Sequence, residues 1–194
     1  MAKRLLHLVR HGHYNVQMHD KGKLTPTGQN QAQAVADAFR ERNIQVMHHS
    51  PIYRAIETAE IIQQAIPHVE MRANDDLREC IPSVPDRLSD LFAEFYPDVT
   101  PDSLQQCTSR LDNLYNTLFV PSEGDEDLQE LVVCHGNVIR YLVSQIVGAN
   151  SDAWVNMIIH HCGITRVLVD TDGFVCLVSH NDIGHLSDAL RTEN

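Results

Sequence analysis

The sequence predicts an α/β fold: a three-layer α/β/α sandwich in which helices cover both faces of a mostly parallel sheet. Two observations favour this class. Short apolar runs alternate with amphipathic helical stretches, and 194 residues, 43% of them hydrophobic, suffice for one domain with a core. We expect a single domain over residues 1–194, with residues 72–120 as a small cap-like helical insertion over the end of the sheet where a site would lie.

Strand and helix signals alternate in the first part of the chain. Residues 5–9 form an apolar run that leads into a polar loop, and we expect a buried strand there. Thr25-Pro26 and Ser50-Pro51 each predict a helix N-cap followed by a proline at the first helical position. Residues 44–48 and 69–71 are expected to form the second and third strands.

The middle of the chain has a different character. Residues 72–86 are loop-like and contain two prolines. Two helical stretches follow at about 86–96 and 101–119, and the second carries apolar residues along one side.

The last part returns to the alternating pattern. An uninterrupted run over 131–135 predicts a buried strand, and a helix is expected from Gly136 to about residue 147. Two further strands, 164–170 and 174–179, are joined by a Thr-Asp-Gly turn signal, which predicts a hairpin.

Composition and charge disfavour several functions. The 15 basic and 26 acidic residues give a formal charge of −11, and no run of Lys or Arg is present, so we expect no nucleic-acid partner. We find no signal-peptide core and no stretch of roughly 20 apolar residues, so we expect no membrane association and a cytoplasmic location.

The cysteines predict free thiols rather than disulfides. They are odd in number, widely spaced and without a Cys-x-x-Cys pair, which is typical of a reducing compartment. The five are Cys80, Cys107, Cys134, Cys162 and Cys176.

Two polar motifs follow predicted strands at their carboxyl ends, where open α/β sheets bind ligands. The first is Arg10-His11-Gly12 and the second is His135-Gly136. An arginine fork suits two phosphate oxygens, and a histidine near its ordinary pKa can be a neutral nucleophile. Taken alone, each motif could equally be a strand end or helix start capped by polar residues.

Two further residues are candidates. Arg54 falls in the first turn of a helix, where a cation opposes the helix dipole and a bound anion would remove the conflict. Glu79 lies in the loop before the predicted insertion. The alternatives are a surface arginine and a solvated carboxylate.

Twelve histidines also raise the question of a metal site. The adjacent pairs at 48–49 and 160–161 would point to opposite faces of a strand, and no His-Glu-x-x-His or paired-cysteine motif accompanies them. We therefore expect no metal and no cofactor, and we expect most histidines outside the motifs to lie at the surface or at helix ends. Cys134 is expected in the core.

Together, residues 10–12, 24–32, 50–59 and 134–137 resemble, in this order, the histidine phosphatase (phosphoglycerate-mutase-like) superfamily. The ending 181–186 is similar to its phosphatase members. By this resemblance, His11 attacks phosphorus and becomes a phosphohistidine, and Glu79 protonates the departing alkoxide and later deprotonates water. Arg10, Arg54, His135 and Gly136 would bind the phosphate without a metal.

The details favour one branch of the superfamily. Mutases carry a small hydroxyl residue where Tyr14 stands and an asparagine where Gln17 stands, and they are longer. A closer resemblance is to the mutase-like serine/threonine protein phosphatases known from mitochondria, although Cys80 replaces an expected glycine. This resemblance implies phosphorylated proteins as substrates. A broad phosphatase of small phosphate esters is the alternative; a phosphoglycerate mutase and a non-catalytic phosphate-binding scaffold are less favoured, and a homodimer is left open.

Overall fold

One six-stranded sheet forms the centre of the molecule. The computed structural model describes residues 2–122 and 124–193, apart from the side chains of residues 19 and 20. The strands are β1 (Arg4–Arg10), β2 (Val46–His49), β3 (Glu70–Ala73), β4 (Leu128–Cys134), β5 (Ile164–Val169) and β6 (Val175–Asp182). Their spatial order is β3-β2-β4-β1-β5-β6.

The pairing of the strands confirms the predicted sheet. The four strands β3, β2, β4 and β1 are parallel neighbours. β5 is antiparallel to β1 and to β6, so the predicted hairpin forms the other side of the sheet. The central position of β1 and β4 brings their carboxyl ends together, as the motif placement requires.

Helices cover both faces of the sheet, which confirms the three-layer prediction. The described residues contain α1 (Pro26–Phe39), α2 (Tyr53–Ala65), α3 (Ser89–Phe95), α4 (Pro101–Leu118) and α5 (Gly136–Ile146). Because neighbouring side chains of a strand point to opposite faces, Leu8 packs in the core with α4 and α5, whereas Val9 packs with α1 and α2. Within the described part of the chain, no helix combines the length and apolarity that a bilayer crossing needs.

Several element boundaries differ from the predicted ones, among them the starts of β2 and α2. β2 begins at Val46 instead of residue 44, because the N–H of Ile44 is bonded to the carbonyl of Arg42 in a turn. α2 begins at Tyr53 with Ile52 as its N-cap, so Ser50-Pro51 precedes the helix. The Ser50 hydroxyl accepts a long hydrogen bond of 3.3 Å from the Ile52 N–H and is available for another contact.

Residues 72–120 contribute to the sheet and the core as well as to the rim of a cavity. β3 continues to Ala73 in register with β2, so the expected boundary at 72 falls inside a strand. α4 buries Cys107 and Leu111 in the core that it shares with α5. Ile81 and Tyr96, from the segment before α4, line the cavity described below.

A disulfide joins Cys80 to Cys107, with 5.9 Å between their Cα atoms. The prediction of five free thiols is therefore wrong for this pair, whereas Cys134, Cys162 and Cys176 are free. The two cysteines are 27 positions apart, and only the packing of α4 over the loop that follows Glu79 brings them together. Cys134 is buried in the core, as expected.

Candidate active site

The two predicted motifs meet at the centre of the sheet. β1 and β4 are parallel neighbours in which Arg10 is paired with Cys134, so the residues that follow them lie side by side. The His11 N–H donates to the carbonyl of Cys134 over 3.0 Å, and the ring centroids of His11 and His135 are 5.1 Å apart.

His11 is buried and held in one tautomer. Its Nδ1 lies 2.8 Å from the carbonyl oxygen of Gly12, which can only accept, so Nδ1 carries the hydrogen. Its Nε2 accepts from the Nε–H of Arg54 over 3.1 Å. Burial, followed by the charges of His135, Arg10 and Arg54, holds the pKa of His11 well below its usual value. The imidazole is therefore neutral, with its lone pair on Nε2.

The loop that carries His11 packs tightly against α1 and α2. The Gly12 N–H donates to the Thr58 hydroxyl over 3.0 Å. A Cβ atom at Gly12 would lie 2.5 Å from the carbonyl oxygen of Gly28, and one at Gly28 would lie 2.0 Å from that of His13. Both positions therefore need glycine because the two backbones approach each other too closely for a side chain.

Arg54 lies in the first turn of α2, as predicted, but it is buried rather than at the surface. Its guanidinium carbon is 4.5 Å from the ring centroid of Tyr14, a cation–π distance. The Tyr14 ring also meets the His11 ring edge to face, with centroids 5.0 Å apart. Tyr14 thus positions both groups, a role that a sequence motif at Arg-His-Gly does not reveal.

Arg10 is fixed from behind by backbone carbonyls. Its Nη1 donates to the carbonyls of Ile159 over 2.6 Å and of Glu193 over 2.8 Å, and its Nη2 donates to His161 Nε2 over 3.0 Å. Burial lowers the pKa of Arg10 to about 10, so it stays a cation at neutral pH, while burial lowers that of His161 to about 2. His161 is therefore a neutral acceptor.

His161 and two other histidines lie elsewhere than the sequence predicts. His161, His7 and His49 are all buried, so the prediction that most histidines outside the motifs lie at the surface or at helix ends is wrong for these three. His7 lies on the central strand β1, where both faces of the sheet are covered, and its ring packs against Phe39. A single sequence shows which residues can form such contacts but not which ones meet.

His135 has one ring nitrogen without a hydrogen-bond partner among the described residues. Its Nε2 lies 2.8 Å from the Ser50 hydroxyl, and its buried Nδ1 is the one without a partner. If Ser50 donates to Nε2, Nδ1 carries a hydrogen that can be donated to an anion. Burial, with the nearby Arg54 and Arg10, keeps the pKa of His135 well below its usual value. The next residue, Gly136, begins α5 and contributes the free N–H end of that helix.

Glu79 has a raised pKa. The residue is partly exposed because it lines the cavity. The protein around the carboxyl nevertheless desolvates its charged form and thereby raises its pKa, an effect that Arg54 and Arg10 oppose. Its Oε1 accepts from the Cys80 N–H over 3.2 Å. A carboxyl that keeps its proton to a higher pH is suited to donate it.

These groups surround a cavity of about 390 Å³. Five predicted site residues line it, namely Arg10, His11, Arg54, Glu79 and Gly136. His135 is not among the lining residues, but its ring adjoins that of His11. The structure also adds lining residues that the motifs did not indicate: Tyr14, Val16, Cys80, Ile81, Tyr96, Asn137 and Arg140.

Comparison with known sequences agrees with this geometry. The sequence profile of the histidine phosphatase superfamily (branch 1) matches residues 6–182, and the chain therefore belongs to that superfamily. This confirms the family that the motifs resembled.

Three members of known name are similar to the chain over most of its length. The chain is 33% identical over 195 residues to serine/threonine-protein phosphatase Pgam5, mitochondrial, of Caenorhabditis elegans, covering 95% of this chain and 65% of that protein. It is 28% identical to the Homo sapiens protein of the same name, covering 95% of this chain and 64% of that protein. A solved phosphoglycerate mutase from Plasmodium falciparum is 27% identical with a TM-score of 0.64, over 97% of this chain and 96% of that one.

These relatives also correct one expectation. Their names place them in mitochondria, so the expectation of a cytoplasmic location is wrong. That expectation was based on the absence of a signal-peptide core and of a long apolar stretch. The chain, however, spans just under two thirds of these relatives' length, 65% and 64%. What its first residues lack therefore does not decide its location.

Proposed function

We propose that this chain is a metal-independent phosphoric monoester hydrolase that works through a phosphohistidine on His11. One observation carries the proposal: a buried, neutral imidazole is held by Gly12 with its Nε2 lone pair directed at Arg54. Such a nitrogen is a nucleophile placed beside the cation that would bind its electrophile.

In the first step, His11 Nε2 attacks phosphorus and the ester P–O bond breaks. Arg10 and Arg54 balance the two negative charges of the phosphate, and Nδ1–H of His135 and the N–H end of α5 donate to its oxygens. Because these donors are fixed by protein contacts before the substrate binds, little reorganisation is needed in the transition state.

Glu79 supplies and then removes a proton. Its raised pKa favours the protonated carboxyl, which can donate to the departing alkoxide. As a carboxylate it then takes a proton from the water that attacks phosphorus. The N–P bond breaks, inorganic phosphate leaves, and His11 and protonated Glu79 are restored.

We favour phosphoserine and phosphothreonine residues of proteins as the substrates. The supporting observations are the names of the relatives at 33% and 28% identity and the exposed Val16 and Tyr96 at the cavity. Exposed apolar side chains beside a phosphate site can pack against a peptide that extends beyond the phosphoresidue.

A phosphatase of small phosphate esters is the second candidate. The observation that favours it is the similarity to a solved phosphoglycerate mutase over nearly the whole chain. A cavity of about 390 Å³ is also large enough to hold a small phosphorylated metabolite.

The test is a comparison of kcat/KM for phosphoserine and phosphothreonine peptides with that for small esters including 3-phosphoglycerate. His11→Ala is measured alongside His68→Ala, which changes an exposed histidine. We expect a peptide preference that His11→Ala abolishes and His68→Ala preserves. A preference for the small esters would support the second candidate, and turnover that survives in His11→Ala would refute the proposed nucleophile.

A further inference from the structure

Arg140 is a third arginine of the catalytic cavity, and the mechanism above does not use it. It is the fifth residue of α5, one turn after Gly136. Because Cα–Cβ bonds tilt toward the N-terminus of a helix, the side chain at 140 extends over the turn that begins at Gly136. This explains why Arg140 and Gly136 line the same cavity.

Arg140 has no carboxylate partner among the described residues. No described Asp or Glu forms an ion pair with it, and its buried Nε has no hydrogen-bond partner in the described part of the chain. Partial burial lowers its pKa, an effect that Glu79 and Tyr96 oppose. A partly buried cation that forms no ion pair is stabilised when an anion binds to it.

The charges of the cavity leave room for one further anion. A phosphate dianion is balanced by Arg10 and Arg54, and Glu79 must be protonated, hence neutral, when the ester bond breaks. Arg140 is then one positive charge in excess. The protein as a whole is strongly acidic, with a formal charge of −11, so the positive excess in the cavity is local.

Arg140 also stands where a bound substrate would leave the phosphate pocket. A second cavity of about 190 Å³ adjoins the first, and both are lined by Ile81, Tyr96, Asn137 and Arg140. Asn137 is fixed there because its Nδ2 donates to the Cys80 carbonyl over 3.1 Å. A group attached to the phosphoester would therefore pass Arg140.

We propose that Arg140 binds a carboxylate of the substrate that lies close to the phosphoester, and that it thereby determines specificity. The carboxylate belongs either to an acidic residue that flanks the phosphoresidue of a peptide or to a small phosphorylated acid. The inference rests on the proposed function in one respect: the catalytic cavity must hold the phosphoester.

The test uses two matched substrate pairs, each differing in one carboxylate. The peptide pair carries Glu or Gln beside phosphoserine, and the small pair is 3-phosphoglycerate and glycerol 3-phosphate. The ratio of kcat/KM within each pair is measured for the parent, Arg140→Gln and Arg140→Lys. Arg40→Gln, which changes an exposed arginine at the C-terminal end of α1, is the control.

We expect the parent to favour the carboxylate member of at least one pair by about tenfold or more, mainly through KM. Arg140→Gln should bring that ratio to within about twofold, Arg140→Lys should restore part of it, and Arg40→Gln should preserve it. The pair that shows the effect identifies the source of the carboxylate.

Two results would overturn the inference: no preference in the parent for either pair, or an unchanged ratio in Arg140→Gln, which includes an equal loss of activity for both members of a pair. If no substrate is turned over, the proposed function has failed by itself. Arg140 is then tested by calorimetric binding of 3-phosphoglycerate and glycerol 3-phosphate to His11→Ala with and without Arg140→Gln. Equal affinities for the two ligands would refute the role of Arg140.

Discussion

Replacement of Arg54 by alanine tests the site's electrostatics directly. The guanidinium is buried, donates to His11 Nε2 over 3.1 Å and lies over the Tyr14 ring. Arg54→Ala removes one of the two cations that would balance the phosphate dianion, and it removes the donor that orients the nucleophile.

The expected loss of transition-state stabilisation is about 3–4 kcal/mol, which corresponds to a 10²–10³-fold fall in kcat/KM. The free energy of unfolding should change much less. Arg54 adjoins other positive or donating groups, and its removal opens space that is continuous with the cavity. We expect the unfolding free energy to stay within about 1 kcal/mol of the parent value.

The assay is steady-state kinetics on the best available phosphomonoester, together with urea unfolding of the same preparations. Arg40→Ala is the control, because that arginine is exposed and paired with Asp37. It should retain full activity. A loss below about tenfold in Arg54→Ala, with the fold intact, would refute the assigned position of this cation.

Three further predictions concern protons and the disulfide. Because Glu79 must be protonated in the first step and its pKa is raised, kcat/KM should fall as the pH rises through that pKa. Glu79→Gln should remove this limb of the pH–rate profile and lower the rate by about 10²–10⁴-fold, with a smaller loss for a substrate that has a nitrophenolate leaving group. His7 and His161 have folded pKa values of about 4 and about 2, so the folded state binds fewer protons than the unfolded state as the pH falls through 6.5. These two residues alone should lower the unfolding free energy by about 3 kcal/mol between pH 7.5 and 5.5, and His11 and His135, whose pKa values are also held low, should add to the loss; a flat urea titration would contradict this. Cys107→Ser should lower the unfolding free energy by up to about 3.5 kcal/mol, because the disulfide closes a loop of 27 positions; a midpoint equal to that of the parent under non-reducing conditions would argue against the bond.

The order of strands and helices and the location of the site follow from local signals. Arg10 is the last residue of the first strand and His135 directly follows the fourth, and parallel strands bring their carboxyl ends to one edge of the sheet. Arg54 could be assigned to the first turn of a helix because the start of the helix shows which side chains lie near the free N–H groups of that helix. These inferences need only periodicity and neighbours in sequence.

What the sequence did not predict depends on contacts between distant segments. The sequence predicts Ser50 as a helix cap, but its hydroxyl contacts His135, which is 85 positions away. His161 was grouped with surface histidines, but the turn before β5 places it against Arg10. The disulfide is of the same kind, because the packing of α4 and not the spacing of the cysteines joins Cys80 to Cys107.

The most direct test of the account is to trap the phosphoryl group on the protein. Glu79→Gln is mixed with ³²P-labelled 4-nitrophenyl phosphate and quenched within milliseconds, since this leaving group needs no proton while the water step still lacks its base. The account predicts a label on His11 that is labile in acid and stable in alkali. The label should be absent from the double variant that carries both Glu79→Gln and His11→Ala. An acid-stable label, or a label on another residue, would contradict it.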